Sequence, residues 1–136
     1  MKFPYVEFVG IAEERIFRPM IPVTFKYKKY KVESYALIDS GADYTILPLE
    51  AAGDLKFSLS DQPQYYLQGA GGESFKIYKS PEPIEQIITK TGFKPLKSKS
   101  FIYFGESCTT FLLGQSGFLN HFSVRLNGRK KEIEIS

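Results

Sequence analysis

Cysteine, histidine and tryptophan are nearly missing from this chain of 136 residues, which has one Cys, one His and no Trp. A single cysteine cannot form an intrachain disulfide, and Cys108 with His121 alone cannot make up a metal-binding cluster. We therefore expect no disulfide, no metal and no cofactor. So little cysteine is typical of a reducing compartment, and the expected location is cytoplasmic.

Long apolar runs and strong charge are lacking too. No segment approaches the ~18 consecutive apolar residues of a membrane-spanning helix, and residues 1–15 contain no apolar stretch of signal-peptide length. The formal net charge is only +3, with basic clusters confined to residues 26–31 and 94–99. This balance favours neither a membrane nor a nucleic acid as a partner.

Apolar and aromatic residues are, by contrast, plentiful. Hydrophobic residues make up 43% of the chain, with 12 Phe and 9 Tyr among them, which is enough to pack a core. Apolar side chains recur at every second position in Ile21, Val23, Phe25 and Tyr27, the period of a strand with one buried face. The sequence therefore predicts a single all-β domain spanning residues 1–136, with either a barrel or a sandwich architecture.

Further short strands are predicted where β-branched and aromatic residues are bounded by Gly, Pro or Ser. These strands cover Tyr35–Leu37, Phe75–Tyr78, Ile84–Thr89, Phe101–Phe104, Ser123–Leu126 and Lys130–Ile135. Asn127-Gly128 between the last two predicts a hairpin closed by a type I′ turn, in which both central residues need positive φ. Helical pattern is limited to a turn or two at Leu49–Leu55 and a short helix at Gln115–Phe122.

A carboxylate stands where an apolar strand runs into a tight turn, in the segment Ala36–Ala42. The Asp39 side chain loses solvation there unless the hydroxyl and the N–H groups of the turn bond to it. Two interpretations are open on these residues alone. Asp39 could act as an acid or base, or it could bond the backbone two residues on in an ordinary Asx turn.

The segment Leu37–Ala42 resembles the active-site strand and turn of the retroviral-type aspartic proteases, the retropepsins, which carry two apolar residues followed by Asp-Thr/Ser-Gly-Ala. Phe111–Gly114 resembles the apolar-apolar-Gly element that passes beside the catalytic turn in that family, and the predicted helix follows it. Gln68–Glu73 stands where the family has its glycine-rich flap, and Arg18–Lys26 resembles its early strand.

The resemblance implies a small closed β-barrel with one short helix in its C-terminal region, assembled as a symmetric homodimer. Because the chain carries one Asp-Ser-Gly, each protomer would give one to the shared active site of an aspartic endopeptidase. The catalytic residues would be Asp39, Ser40 and Gly41. The residues contacting an extended peptide or protein substrate would be Ala42, Asp43, Gly69, Ala70, Gly71, Gly72, Thr110 and Leu112. The four residues from Gly69 to Gly72 would form a mobile flap that closes over the peptide.

One departure from the family keeps a second interpretation open, that of a catalytically inactive dimeric module that binds peptides. Many retroviral members have an Arg after the second-signature glycine, which pairs with the acid four residues beyond the catalytic Asp. Here that acid is Asp43, but Gln115 replaces the Arg. Asp43 could instead meet Arg18 of the other protomer or hydrogen-bond Gln115. Cys108 and His121 have no predicted catalytic partner, so both are expected to be structural.

Overall fold

The computed structural model describes residues 1–136 as fourteen short strands and one helix. In chain order these elements are β1 (Lys2–Pro4), β2 (Val6–Val9), β3 (Arg15–Arg18), β4 (Met20–Tyr27), β5 (Tyr30–Ile38), β6 (Ile46–Pro48), α1 (Leu49–Asp54), β7 (Gln64–Gln68), β8 (Ser74–Lys79), β9 (Ile84–Ile88), β10 (Leu96–Ser100), β11 (Tyr103–Gly105), β12 (Phe111–Leu113), β13 (Val124–Asn127) and β14 (Glu132–Ile135). The fold is mostly β, as the sequence predicted. No helix is long and apolar enough to cross a membrane.

The strands form three sheets. The largest has nine strands in the order β10-β9-β4-β5-β12-β6-β11-β8-β7, and the others have the orders β1-β14-β13 and β2-β3. Most pairs are antiparallel, but β12 runs parallel to β5 and β11 runs parallel to β6. The expected closed barrel is wrong, because closure requires the end strands β10 and β7 to pair and each pairs only with its own hairpin partner. Lys97 and Lys99 are exposed on β10, and charges of this kind keep an edge strand unpaired.

One hydrophobic core joins the large sheet, the helix and the C-terminal strands. In β4 the side chains of Ile21, Val23 and Phe25 are buried while Pro22 is exposed, so the period-two pattern is confirmed. The core continues through α1 to the buried β14 side chains of the terminal sheet. Strands with one buried face pack in this way because burial removes apolar surface from water.

The short helix predicted at Gln115–Phe122 does not form, and the segment is a series of turns. Gly117 has φ of +97°, outside the helical region, and a Cβ there would lie 3.1 Å from the Thr45 side chain. The buried Gln86 amide donates to the Gly117 carbonyl, which a helix would need for its own hydrogen bonds. The apolar spacing instead buries Phe118 in the core. The helix of the fold is α1, where the sequence predicted a turn or two.

The predicted C-terminal hairpin is confirmed, but its turn is different. Asn127 is the last residue of β13 and pairs with Glu132, so the loop has the four residues 128–131. The Asn127 Oδ1 accepts a hydrogen bond from the Lys130 N–H at 3.0 Å, and the positive φ falls on Lys131. A hydrogen bond to the Asn127 side chain therefore stabilises a four-residue turn in place of the expected two-residue type I′ turn.

Candidate active site

The Asp39 carboxylate stands at the end of β5, where two backbone contacts fix its position. The Asp39 N–H donates to the Leu113 carbonyl of β12 at 3.0 Å, and the Asp39 carbonyl accepts from the Ala42 N–H at 3.1 Å. The Gly41 N–H donates to the carboxylate oxygen Oδ1 at 3.0 Å. The other oxygen, Oδ2, accepts no hydrogen bond from the chain. The turn is thus an Asx turn that holds one carboxylate oxygen and leaves the second available.

A second chain segment runs directly beside this turn, as the family resemblance predicted. The Gln115 N–H donates to the Ala42 carbonyl at 2.9 Å, and the Ser116 N–H donates to the Asp43 carbonyl at 2.8 Å. Gly114 has to be glycine, because a Cβ there would overlap the Tyr44 carbonyl oxygen. Three and four residues after Asp39, the backbone is therefore tied to the segment that follows β12.

The Gln115 side chain forms a hydrogen bond with Ser40 and not with Asp43. Its Nε2 donates to the Ser40 carbonyl at 2.8 Å, so the hydrogen bond to the Asp43 side chain is not formed. Asp43 is exposed and belongs to no salt bridge within the chain. Arg18 places its guanidinium 4.7 Å from the centre of the Phe8 ring and likewise has no carboxylate partner. Of the two partners considered for Asp43, Gln115 is therefore not one within the chain, and its amide supports the turn at Asp39 instead.

The glycine-rich segment forms the tip of the hairpin made by β7 and β8. The Gly69 N–H donates to the Glu73 carbonyl at 2.8 Å, and the Gly72 N–H donates to the Gly69 carbonyl at 3.0 Å. Gly72 has φ of +85°, a conformation that side chains with a Cβ disfavour. All backbone hydrogen bonds of the tip are internal, and Ala70 and Gly71 are exposed. The closing motion expected of a flap stays a prediction.

Three tyrosines that the sequence analysis did not select connect the turn to this hairpin. The rings of Tyr44 and Tyr103 are 5.0 Å apart, and those of Tyr65 and Tyr103 are 6.1 Å apart. Burial raises the pKa of Tyr103, and the neighbouring Tyr44 and Tyr65 raise it further. Tyr44 lies just past the recognised motif, but its contact with β11 depends on long-range pairing that the sequence does not reveal.

The remaining predicted site residues lie on and beside β12. Leu112 is half-buried and pairs with Leu37, two residues before Asp39. The Thr110 carbonyl accepts a hydrogen bond from the Cys108 thiol at 3.0 Å. Burial raises the pKa of that thiol, which makes it a poor nucleophile. The His121 Nε2 lies 2.7 Å from the Ser100 Oγ, and no hydrogen bond joins His121 to Cys108. His121 and Cys108 therefore do not form a catalytic pair.

A single chain does not enclose the carboxylate in a pocket. Three cavities of about 370, 400 and 400 Å³ lie elsewhere on the surface, and none is lined by Asp39, Ser40, Gly41 or Ala42. No group of three or more His, Cys, Asp or Glu side chains could hold a metal ion. Ser40 and Gly41 are exposed, so the turn lies on an open surface of the single chain.

Comparison with solved structures identifies the fold. A retropepsin-like aspartic protease from Rickettsia conorii matches with 18% sequence identity and a TM-score of 0.59, covering 100% of this chain and 98% of that one. The EIAV protease complexed with the inhibitor HBY-793 matches with 21% identity and a TM-score of 0.45, covering 79% and 88% respectively. No protein-family model and no curated protein sequence matches. The chain has a retropepsin-like fold.

Proposed function

We propose that the protein is an aspartic endopeptidase that is active as a homodimer. The observation that carries the proposal is the geometry of Asp39, whose Oδ1 is held by the Gly41 N–H while Oδ2 accepts no bond from the chain. The likeness to aspartic proteases in fold supports this assignment. Of the four Asp residues in the chain, only Asp39 is followed by Ser-Gly, so a second carboxylate has to come from a second copy.

The reaction needs two carboxylates that share one proton. Two such groups about 3 Å apart do not both ionise, so one Asp39 is charged and the other is protonated. The charged Asp39 takes a proton from a water molecule while the oxygen of that water attacks the scissile carbonyl carbon. The protonated Asp39 of the other protomer donates its proton to the carbonyl oxygen. The C–N bond then breaks, the leaving nitrogen takes up a proton, and the products are a carboxylic acid and an amine.

Groups around the turn support a two-fold arrangement. The Ser40 hydroxyl has no hydrogen-bond partner within the chain and is exposed, so it is free to bond to the opposite protomer. Arg18 and Asp43 are exposed charges of opposite sign without an ionic partner, and a pair between protomers would satisfy both. The open surface at the Asp39 turn of one chain would be covered by the other chain.

An extended peptide is the substrate that this surface fits best. The β7–β8 hairpin lies at the end of the large sheet, and its tip would close over the peptide and exclude water. Ala42 leaves room beside the turn, and Thr110 and Leu112 are proposed as subsite walls. The rings of Tyr44, Tyr65 and Tyr103 extend the wall between the turn and the hairpin.

Incubation of the purified protein with a peptide library across a range of pH tests the proposal. We expect discrete cleavage products, their loss with a pepstatin-type inhibitor, and sedimentation at twice the chain mass of 15.5 kDa. Cleavage that persists where sedimentation shows only monomer would exclude the shared site.

A second candidate function is peptide binding without hydrolysis. The observation that favours it is Gln115, which bonds to Ser40 and leaves Asp43 without the ionic partner that many retroviral enzymes have. In that case library peptides would be retained by the dimer and recovered intact at every pH. The same incubation therefore separates the two functions, because it reports bound and cleaved peptides independently.

Substitution of Gly72 by Val tests the role of the hairpin tip. A β-branched residue at φ of +85° is strained and would stiffen the tip, so kcat/KM is expected to fall about tenfold or more. Gly92→Val is a matched control, because Gly92 has φ of +86° and open space around it in the loop between β9 and β10. Both variants should lower the melting temperature by a similar small amount. Equal kcat/KM in the two variants would show that the tip plays no part in cleavage.

A further inference from the structure

The first hairpin of the chain lies outside the hydrophobic core. Its strands β2 and β3 pair only with each other, and we call residues Val6–Arg18 the arm. No arm residue belongs to the hydrophobic core, and none is among the half-buried apolar side chains packed against that core. A two-stranded hairpin without a packed face is only marginally stable in water. Contact with a further surface would therefore stabilise the arm.

The arm carries six large apolar side chains, of which four are half-buried and two, Val9 and Ile11, are exposed. These side chains are Val6, Phe8, Val9, Ile11, Ile16 and Phe17. Ile11 is fully exposed at the turn between the strands, and Val9 is 79% exposed. The Phe17 ring is covered by Lys131, whose Nζ lies 4.0 Å from its centre. An apolar surface edged by charged groups is typical of a contact with another protein.

The root of the arm lies next to the candidate catalytic residue. β3 ends at Arg18, and the carbonyl of Pro19 accepts a hydrogen bond from the Ile38 N–H at 2.9 Å. Ile38 immediately precedes Asp39. In a dimer with a shared site the two Asp39 residues meet at the two-fold axis, so the roots of both arms flank that axis. This step rests on the proposed function, and it selects a second copy of the chain as the surface that covers the arm.

The terminal sheet cannot hold such a dimer through its central strand. β14 pairs with β1 on one edge and with β13 on the other, so both of its edges are used within the chain. A stable dimer buries roughly 800 Å² on each partner. The turn at Asp39 and the hairpin tip are small and polar by comparison. In such a dimer the arm is an apolar element beside the axis that can add to the buried area.

We infer that the arm is a dimerisation element, which packs its apolar side chains against the second protomer and so holds the two Asp39 turns together. In a symmetric dimer each arm makes the same contact, so every substitution in the arm removes two contacts. Losing the arm contact weakens assembly and leaves the chemistry of the assembled site unchanged.

Analytical ultracentrifugation of the full chain, wild type against the double variant Val9→Ser/Ile11→Ser, measures this contact. We expect the dissociation constant of the dimer to rise at least about tenfold, because two exposed apolar side chains per protomer lose their cover. Cleavage by the variant should fall in dilute solution and return to the wild-type rate at high protein concentration. Both side chains are exposed, so the monomer should keep its far-UV circular dichroism spectrum.

Phe93→Ser is the control, since Phe93 is also an exposed apolar residue but lies in the loop between β9 and β10. Its dimer should dissociate as the wild type does. The single variant Ile11→Ser, at the turn of the arm, should also raise the dissociation constant of the dimer, but by less than the double variant does. It provides the test if the double variant misfolds.

The outcomes separate the arm from the proposed function. A wild-type dimer whose dissociation constant the double variant leaves unchanged overturns the arm contact and leaves the mechanism at Asp39 intact. A wild-type protein that stays monomeric at every concentration overturns both. A dimer that the double variant weakens, but that cleaves no peptide, supports the arm and contradicts only the peptidase assignment.

Discussion

Asp39→Asn is expected to abolish peptide cleavage, with kcat lower by about 10⁴-fold or more. The amide oxygen of Asn can still accept the hydrogen bond that Oδ1 accepts from the Gly41 N–H, so the turn should keep its shape. The amide can neither take a proton from water nor donate one as a carboxylic acid does, so both roles of the pair are lost. The melting temperature should be close to that of the wild type, which separates loss of chemistry from loss of fold.

Asp61→Asn is the matched control for this prediction. Asp61 is exposed in the loop between α1 and β7, and the same chemical change there should leave cleavage unchanged. Wild-type cleavage by Asp39→Asn would end the aspartic protease assignment.

Mixing wild type with the Asp39→Asn variant tests whether the site is shared. In an equal mixture that exchanges freely, about a quarter of the dimers contain two wild-type chains. Activity per wild-type chain should therefore fall to about half, because every mixed dimer lacks one of the two carboxylates. Activity that depends only on the amount of wild-type chain would mean that one chain carries a complete site.

Local sequence signals predicted the turn at Asp39 and seven of the fourteen strands, because these features depend on residues close together in the chain. The alternation in β4 and the apolar approach to Asp39 each express a local rule, and both are present in the structure. The hairpin at the C-terminus was also predicted, but its turn was not. There the Asn127 side chain bonds to the Lys130 N–H, an arrangement that the Asn-Gly pattern does not specify.

The errors arise where distant segments decide the local structure. The spacing of Phe118 and Phe122 is helical, but Gly117 is packed against Thr45 and its carbonyl is bound by Gln86, so turns form instead. The strand pattern allowed a barrel or a sandwich and the family resemblance specified a closed barrel, but the large sheet is open. The bond from Gln115 to Ser40 could not be predicted either, because it depends on the parallel pairing of β12 with β5.

The strands of the arm are present in the structure but were not predicted from the sequence. These strands, β2 and β3, contain apolar residues without a clear period, so the sequence analysis assigned no strands there. Their pairing becomes visible only in three dimensions. The contact that we propose for them involves a second molecule, which neither the sequence of one chain nor its core specifies.

Gly114→Ala is expected to destabilise the protein by about 3 kcal/mol, at the upper end of the cost of overpacking. The added Cβ would overlap the Tyr44 carbonyl oxygen and lie 2.8 Å from the Ala42 carbonyl oxygen. Both contacts are with backbone, which cannot move aside as the end of a flexible side chain can. The backbone is also held in place, since the Gln115 N–H bonds to that same Ala42 carbonyl. Urea denaturation of the variant and the wild type gives the difference in free energy of unfolding.

Gly53→Ala is the control for this prediction, because it adds the same methyl group where no backbone lies against it. Gly53 lies in α1 with nothing within 4 Å of an added Cβ, so alanine there should stabilise the protein by about 0.5–1 kcal/mol through helix propensity. The same methyl group thus has opposite effects at two glycines, and the sign depends on whether backbone lies against the position. If Gly114→Ala unfolds at the same urea concentration as the wild type, then β12 does not bring Gly114 against the catalytic turn. The support that positions Asp39 would then have to come from another part of the chain.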